Sequence, residues 1–308
     1  MDLTPVVLGA FFGLQYAVVI GIAAQGELLT EKSGILNIGI QGVLTFSAFT
    51  AGVSNFYLGP KIGTLSPYGG LVVGMATGIA VNFFFAFLST HLKVDQVIAG
   101  IGVSLLAGGI TEMLLLTRFT VNGTPSADSV APLFTIKGLA SGVSISISPF
   151  IFALFLIPGV TYLILSRTKL GLRARAVGEN PKAAEVAGIS VARTRLLATS
   201  VGGALLGLAG SYRSVDFFNY YDPNFYFSGL GFIALAAVIA GGWNPPYVLG
   251  VSLLFGFSLG LIPVSGVTTG PPFYFITMLP YITTVVVLAV ASKRLRPPAA
   301  LAQAYKKE

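Results

Sequence analysis

The chain has 308 residues, of which 54% are hydrophobic and only 9% charged, with a mean hydropathy of +0.84 and a formal net charge of +7. Soluble domains run near 25% charged, so there is too little polar surface here to cover a water-soluble globule. Apolar runs of about 15 to 20 residues recur along the chain, and the sequence reads as an integral membrane protein.

The first segment, MDLTPVVLGAFFG, lacks a basic start and a small-residue cleavage site, so it reads as a first span and not as a removed signal. Nine candidate spans follow by hydropathy: 6–24, 35–53, 70–89, 97–116, 149–165, 196–211, 226–241, 248–262 and 273–291. The expected fold class is an all-α polytopic membrane protein with about eight to ten transmembrane helices. Basic residues fix the expected orientation. The loop 167–195 carries Arg167, Lys169, Arg173, Arg175, Lys182, Arg193 and Arg195 against only Glu179 and Glu185. The tail 292–308 adds Lys293, Arg294, Arg296, Lys306 and Lys307. Lys and Arg beside spans stay cytoplasmic. The loop and the tail are therefore both placed inside, which puts 118–148 and the N-terminus outside. The same pattern, with no aromatic-interleaved basic surface, argues against nucleic-acid binding.

In chain order, the stretch 25–42, QGELLTEKSGILNIGIQG, is an unusual start to a span. Glu27, Glu31 and Lys32 read as its cytoplasmic end. Gly34, Asn37, Gly39, Gln41 and Gly42 then run into the membrane, and Asn37 and Gln41, four apart, share one helix face. Polar side chains there should face protein and not lipid. They serve either a discontinuous helix lining a pathway or interhelical hydrogen bonds. His91, the single histidine, reads as a boundary residue. The span 97–116 carries a small-residue face, Gly100, Ser104, Ala107, Gly108 and Thr111, suited to close helix packing. Glu112 lies in the same span near its outer end, where a snorkelling or paired carboxylate is the expected reading. The loop 118–148 is punctuated by Gly, Pro and Ser around short apolar pieces.

Within the basic loop, Asn180 is a good N-cap, Pro181 suits the first helical position, and Gly188 can end a turn, so a short helix over 181–187 is predicted. A helix presented there suggests a docking partner; a basic loop that only sets topology is the competing reading. The second interrupted region is 229–250, where Gly241-Gly242 and Pro245-Pro246 flank Trp243 and Asn244. Two broken helices, one per half and entering from opposite sides, point to inverted repeats around a mid-membrane pathway. The halves show no sequence identity strong enough to prove a repeat.

No GxxxxGK[ST], HExxH, CxxC or GxSxG motif occurs, and there are no cysteines. No catalytic residue, metal site or cofactor is predicted, and the chain is not expected to be an enzyme. A lining of Asn, Gln, Ser, Thr and aromatics suits a neutral polar solute. Energy for uphill transport would then come from elsewhere.

At these motifs the sequence resembles the permease subunits of bacterial ABC importers of the ribose, branched-chain amino acid and nucleoside type. The likeness is strongest to the nucleoside branch, associated with basic membrane proteins. It rests on the loop SRTKLGLRARAVGENPKAAEVAGISVARTR, on SGILNIGIQG (33–42) and DQVIAGIGVSLLA (95–107), and on GFIALAAVIAGGWNP (231–245) and LPYITTVVVL (279–288). The resemblance implies one transmembrane permease domain over 1–308 in the bacterial plasma membrane, with 167–195 as its coupling loop. It also implies an ABC ATPase inside, a second and often non-identical permease subunit, and a substrate-binding lipoprotein outside. Two departures bear on specificity: Gln41 stands where many relatives carry a carboxylate, and Ser104 where Asn is common. The expected function is import of a nucleoside or similar neutral heteroaromatic solute, with riboflavin or a sugar as alternative substrates. A stand-alone facilitator or secondary transporter is the alternative class. Expected pathway residues are Asn37, Gln41, Ser104, Trp243 and Asn244. Expected ATPase-facing residues are Glu179, Asn180, Pro181, Lys182, Ala183, Ala184, Glu185 and Gly188.

Overall fold

The computed structural model describes residues 4–119, 123–139, 143–266, 270–291, 296–303 and 305; Lys293, Arg294, Lys306 and Lys307 lie outside the described residues. Each of the nine apolar runs forms a helix. In chain order the helices are α1 (Thr4–Glu31), α2 (Ile40–Ile62), α3 (Ser66–Thr90), α4 (Gln96–Arg118), α5 (Pro149–Arg167), α6 (Lys169–Glu179), α7 (Pro181–Val186), α8 (Val191–Tyr212), α9 (Leu230–Ala240), α10 (Pro245–Val264) and α11 (Pro271–Ala291). Among the described residues, seven helical stretches are long and apolar enough to cross a membrane, one of them being 40–90, which holds both α2 and α3. Polar residues just before the helices take up orphan backbone N–H groups. Asp95 caps α4, Ser148 caps α5, Thr168 caps α6 and Ser190 caps α8.

Small residues set how closely the helices approach. Along α1, Gly13 lies against Gly256 and Gly260 of α10, and Gly21 against Ser252, so the two helices run antiparallel. Along α3, Gly74 lies against Ser211 of α8, and Gly78 against Gly203 and Gly207, again antiparallel. Between these pairs α1 crosses α8, with Gly26 on Gly202 and Tyr16 edge-on to Phe217. In the membrane there is no hydrophobic drive between helices, so backbone approach and packing hold these contacts. A Cβ on Gly78 would collide with the Gly203 carbonyl and lie 2.5 Å from the Cα of Gly207. Gly78→Leu is therefore expected to force α3 and α8 apart, lowering both folded yield and thermal midpoint. Gly102→Leu, where a side chain meets open space, should leave both unchanged.

This packing exposes a two-part plan. The quartet α1–α4 begins with a long helix, an interrupted stretch and a helix that starts inside the bundle; the quartet α8–α11 does the same. α1 and α8 run in opposite directions, α1 packs on α10 as α8 packs on α3, and α2 meets α9. These are the relations of an inverted-topology repeat. α5 to α7 form the link between the quartets.

Within the loop 118–148, β1 (Phe134–Leu139) and β2 (Val143–Ile147) pair antiparallel, Phe134 opposite Ile147. This hairpin was not anticipated, because its alternation is brief and irregular at a bulge. It marks one end of the bundle; the segment 167–195 marks the other.

Candidate functional site

The chain leaves α1 at Glu31, turns through Ser33 and Gly34, and runs without helix to Gly39. α2 then begins beside Ser104 of α4, eight residues from Gln96 and so about 12 Å inside the bundle at 1.5 Å per residue. Non-helical backbone at that depth must find partners within the protein. The Leu36 N–H donates to Gln96 Oε1 (2.8 Å), the Asn37 N–H to Glu27 Oε1 (3.1 Å), the Gly39 N–H to Asn37 Oδ1 (2.8 Å) and the Gly42 N–H to Ser104 Oγ (3.2 Å). The Asn37 amide donates to Asn82 Oδ1 (2.8 Å), and the Asn82 amide donates in turn to the Thr199 carbonyl of α8 (2.9 Å).

A second interrupted stretch comes down from the hairpin end. After the π-helical turn Arg213–Phe217, the Arg213 guanidinium lies 3.4 Å from the Phe218 ring centroid and 3.7 Å from the Asp222 carboxylate. The backbone of Tyr221 pairs with Thr124. A 3₁₀ segment, Pro223–Ser228, leads to Gly229, whose left-handed φ of +67° starts α9. α9 has 11 residues, about 16 Å, roughly half a bilayer.

The two half-crossings meet at Gln41. Its amide donates to the Phe225 carbonyl (2.8 Å) and its Oε1 accepts from the Gly231 N–H (2.7 Å). One side chain thus ties the 3₁₀ segment to the first turn of α9; the Phe225 carbonyl also accepts from Ser228 Oγ (2.7 Å). Gln41→Leu leaves the Gly231 N–H unpaired in a buried site, at about 1–3 kcal/mol, and leaves the Phe225 carbonyl only its bond from Ser228 Oγ. That variant is expected to lose several degrees of thermal midpoint in detergent, whereas Thr45→Ala, which removes only a 3.5 Å partner of the same amide, should lose little.

The segment 241–244 is a turn between α9 and α10 and not a break within a spanning helix, which corrects the expectation drawn from Gly241-Gly242 and Pro245-Pro246. Gly242 and Trp243 both take left-handed φ there, +62° and +54°. Trp243 is buried and its indole N–H donates to Glu31 Oε2; Asn244 is half-buried at the start of α10, apart from Gln41. Asn37, Gln41 and Ser104 are brought together, each bonded to the backbone of an interrupted stretch.

At the end of the bundle opposite the hairpin, α6 packs Gly178 against Lys32 and Gly34, and α7 packs on α6 and α8. Asn180 Oδ1 accepts the Ala183 N–H (3.0 Å), and Gly188, at φ +80°, turns the chain into α8. Ala184 is buried against Val177 and Val191, whereas Lys182, Ala183 and Gly188 are exposed, and Pro181 and Glu185 are half-buried. Val186 is 91% exposed at the helix tip. Glu179 is exposed, with Oε2 3.4 Å from the Ala299 N–H.

Residues 9–292 match the family described as the branched-chain amino acid transport system permease component. The chain belongs to this family. Two bacterial relatives are 30% identical: the guanosine ABC transporter permease protein NupQ of Bacillus subtilis, over 89% of each chain, and the nucleoside ABC transporter permease protein NupC of Lactococcus lactis, over 90% of each. The putative glucose ABC transporter permease protein TsgC13 of Haloferax volcanii is 32% identical over 96% of each chain. No solved structure matches the chain. The protein is a multi-pass transmembrane permease subunit of an importer.

Three features of the permease were not read from its sequence. Glu27 and Glu31 are fully buried and bonded across the break. The adjacent Lys32 masked this, and their partners Asn37 and Trp243 lie 10 and 212 residues away. Helix α6 was read as loop, although Gly171, Ala174, Val177 and Gly178 sit at helical spacing on its buried face. Val186 gives no sequence signal at all.

Proposed function

We propose that the permease forms, with a second and non-identical permease subunit, the pathway of an ATP-driven importer for a nucleoside or similar neutral heteroaromatic solute. An ABC ATPase docks from the cytoplasm on α7, and a binding lipoprotein delivers solute at the hairpin end. In this reading 167–195 and the tail are cytoplasmic and the N-terminus is outside, as the clustering of basic residues in that segment suggests. The observation that carries the proposal is the pair of interrupted stretches joined at Gln41, because discontinuous helices at the midplane are the parts of transporters that handle solute. Asn37, Gln41 and Ser104 form the gating region of this pathway, with Trp243 and Asn244 at the far end of α9. Closure of the ATPases moves α7, and the motion alternates access at the breaks. The names of the guanosine and nucleoside relatives support the solute class. A sugar is the second reading, supported by the printed name of the archaeal relative.

The test is reconstitution in liposomes with the importer's ATPase, second permease and binding protein, with labelled guanosine, riboflavin and glucose offered in turn. Guanosine uptake that requires ATP and the ATPase is the expected result. Uptake by this subunit alone without ATP would establish a facilitator instead, and uptake of glucose only would establish the sugar reading.

A further inference from the structure

Between the outer half of α4 and the second interrupted stretch lies a cavity of about 310 Å³, lined by Leu105, Gly108, Gly109, Thr111, Glu112, Tyr221, Pro223 and Tyr226. Its volume falls at the lower end of the roughly 300–1,000 Å³ of small-molecule sites. Two glycines hollow it. The Tyr226 ring fills the space over Gly108, where a Cβ would meet ring carbons at 2.8 to 3.1 Å, and at Gly109 a Cβ would meet only open space. Thr111 and Tyr221 are buried in its wall, and Glu112 is exposed at it.

Glu112 sits six residues from Arg118, about 9 Å along the axis from the end of α4. A carboxylate exposed to hydrocarbon at that depth is costly, and such groups face a water-filled passage or a partner. Among the described residues no cation lies within ion-pair distance of it. A carboxylate with unspent acceptor capacity, beside tyrosine rings and a stretch of broken backbone, has the chemistry to recognise a polyhydroxylated solute with a flat ring. The carboxylate accepts hydrogen bonds from two neighbouring hydroxyls, and an aromatic face stacks on the base.

We propose that this cavity is a solute subsite of the outer half of the pathway, with Glu112 recognising the vicinal hydroxyls of a ribose-like group and Tyr226 offering a ring to the base. The solute class rests on the nucleoside reading above; the existence of the subsite does not.

The cysteine-free sequence makes the test direct. In the full transporter in membranes, Gly109→Cys is treated with a charged, water-borne thiosulfonate reagent, with Val285→Cys on the exposed face of α11 as a lipid-side control. Position 109 is expected to react and position 285 not to. Saturating guanosine should slow the reaction about tenfold, whereas 2′,3′-dideoxyguanosine should protect weakly. Adding Glu112→Gln should raise the guanosine concentration for half-protection about tenfold, the usual weight of a hydrogen bond to a charged group. A cysteine at 109 that resists the charged reagent, or that reacts at one rate with guanosine, riboflavin and glucose alike, would overturn the subsite. Protection by glucose alone would keep the subsite and remove the nucleoside reading.

Discussion

Val186→Asp is expected to reduce ATP-driven uptake at least tenfold while leaving the permease inserted and folded. The side chain is 91% exposed at the tip of α7 and makes no packing contribution to the bundle, so the folded chain should tolerate the change. If α7 seats in the ATPase, Val186 is buried there, and burying a valine is worth about 1.5 kcal/mol or more. An aspartate in the same seat must shed water from a charge as well, at several kcal/mol. A loss of 1.4 kcal/mol is already tenfold. Co-purification of the ATPase and uptake by the reconstituted complex provide the measurement, with membrane level as the control. Wild-type uptake in this variant would mean that the ATPase engages some other surface. Ala184 behaves differently: because it packs on Val177 and Val191, a bulky charge at Ala184 should unfold α7 locally, whereas the same change at exposed Ala183 should uncouple without unfolding.

Arg195→Ala is expected to lower the thermal midpoint by several degrees and to expose the tail to protease. Arg195 is 2% exposed at the start of α8. Its Nε–H donates to the Ser33 carbonyl at 3.2 Å, and its Nη1 donates to the Gln303 carbonyl at 3.1 Å. The tail is held again where the Ala300 N–H donates to the Gly178 carbonyl at 2.8 Å. One guanidinium therefore binds three parts of the chain: the start of α8, the turn that opens the first break, and the C-terminal segment. Hydrogen bonds to a charged group contribute about 1.5–3 kcal/mol, and here the buried Ser33 carbonyl would be left behind while the exposed Gln303 loses its tie to the bundle. Arg195→Lys keeps charge but cannot span both acceptors in a planar fork, so it should fall between wild type and alanine. A melt in detergent and limited proteolysis read both effects. An alanine variant as stable as the parent, with its tail still protected, would show that the guanidinium holds nothing together.

Both results bear on how much the sequence discloses. Composition and apolar run length are enough for the nine helices, because a span must satisfy all its backbone groups within itself. Asn180, Pro181 and Gly188 announce α7, since caps act locally. The first break is legible from Gly34 and Gly39 with Asn37 between them. Long-range partners are not legible. Nothing near Trp243 points to Glu31, and nothing near Asn82 points to Asn37 and Thr199. The pair Pro245-Pro246 was read as an intramembrane break because proline disrupts helices; in the fold it takes the opening positions of α10, where a missing N–H is harmless. The true second break, 213–229, contains aromatics and an arginine instead of a glycine run, so the hydropathy pattern shows it only as a connection between spans 196–211 and 226–241.

The contact between Gln41 and Gly231 has one more implication. α2 and α9 begin beside each other, so the positive ends of two helical dipoles face one another near the middle of the membrane. That arrangement creates a standing electrostatic barrier to small cations through this subunit.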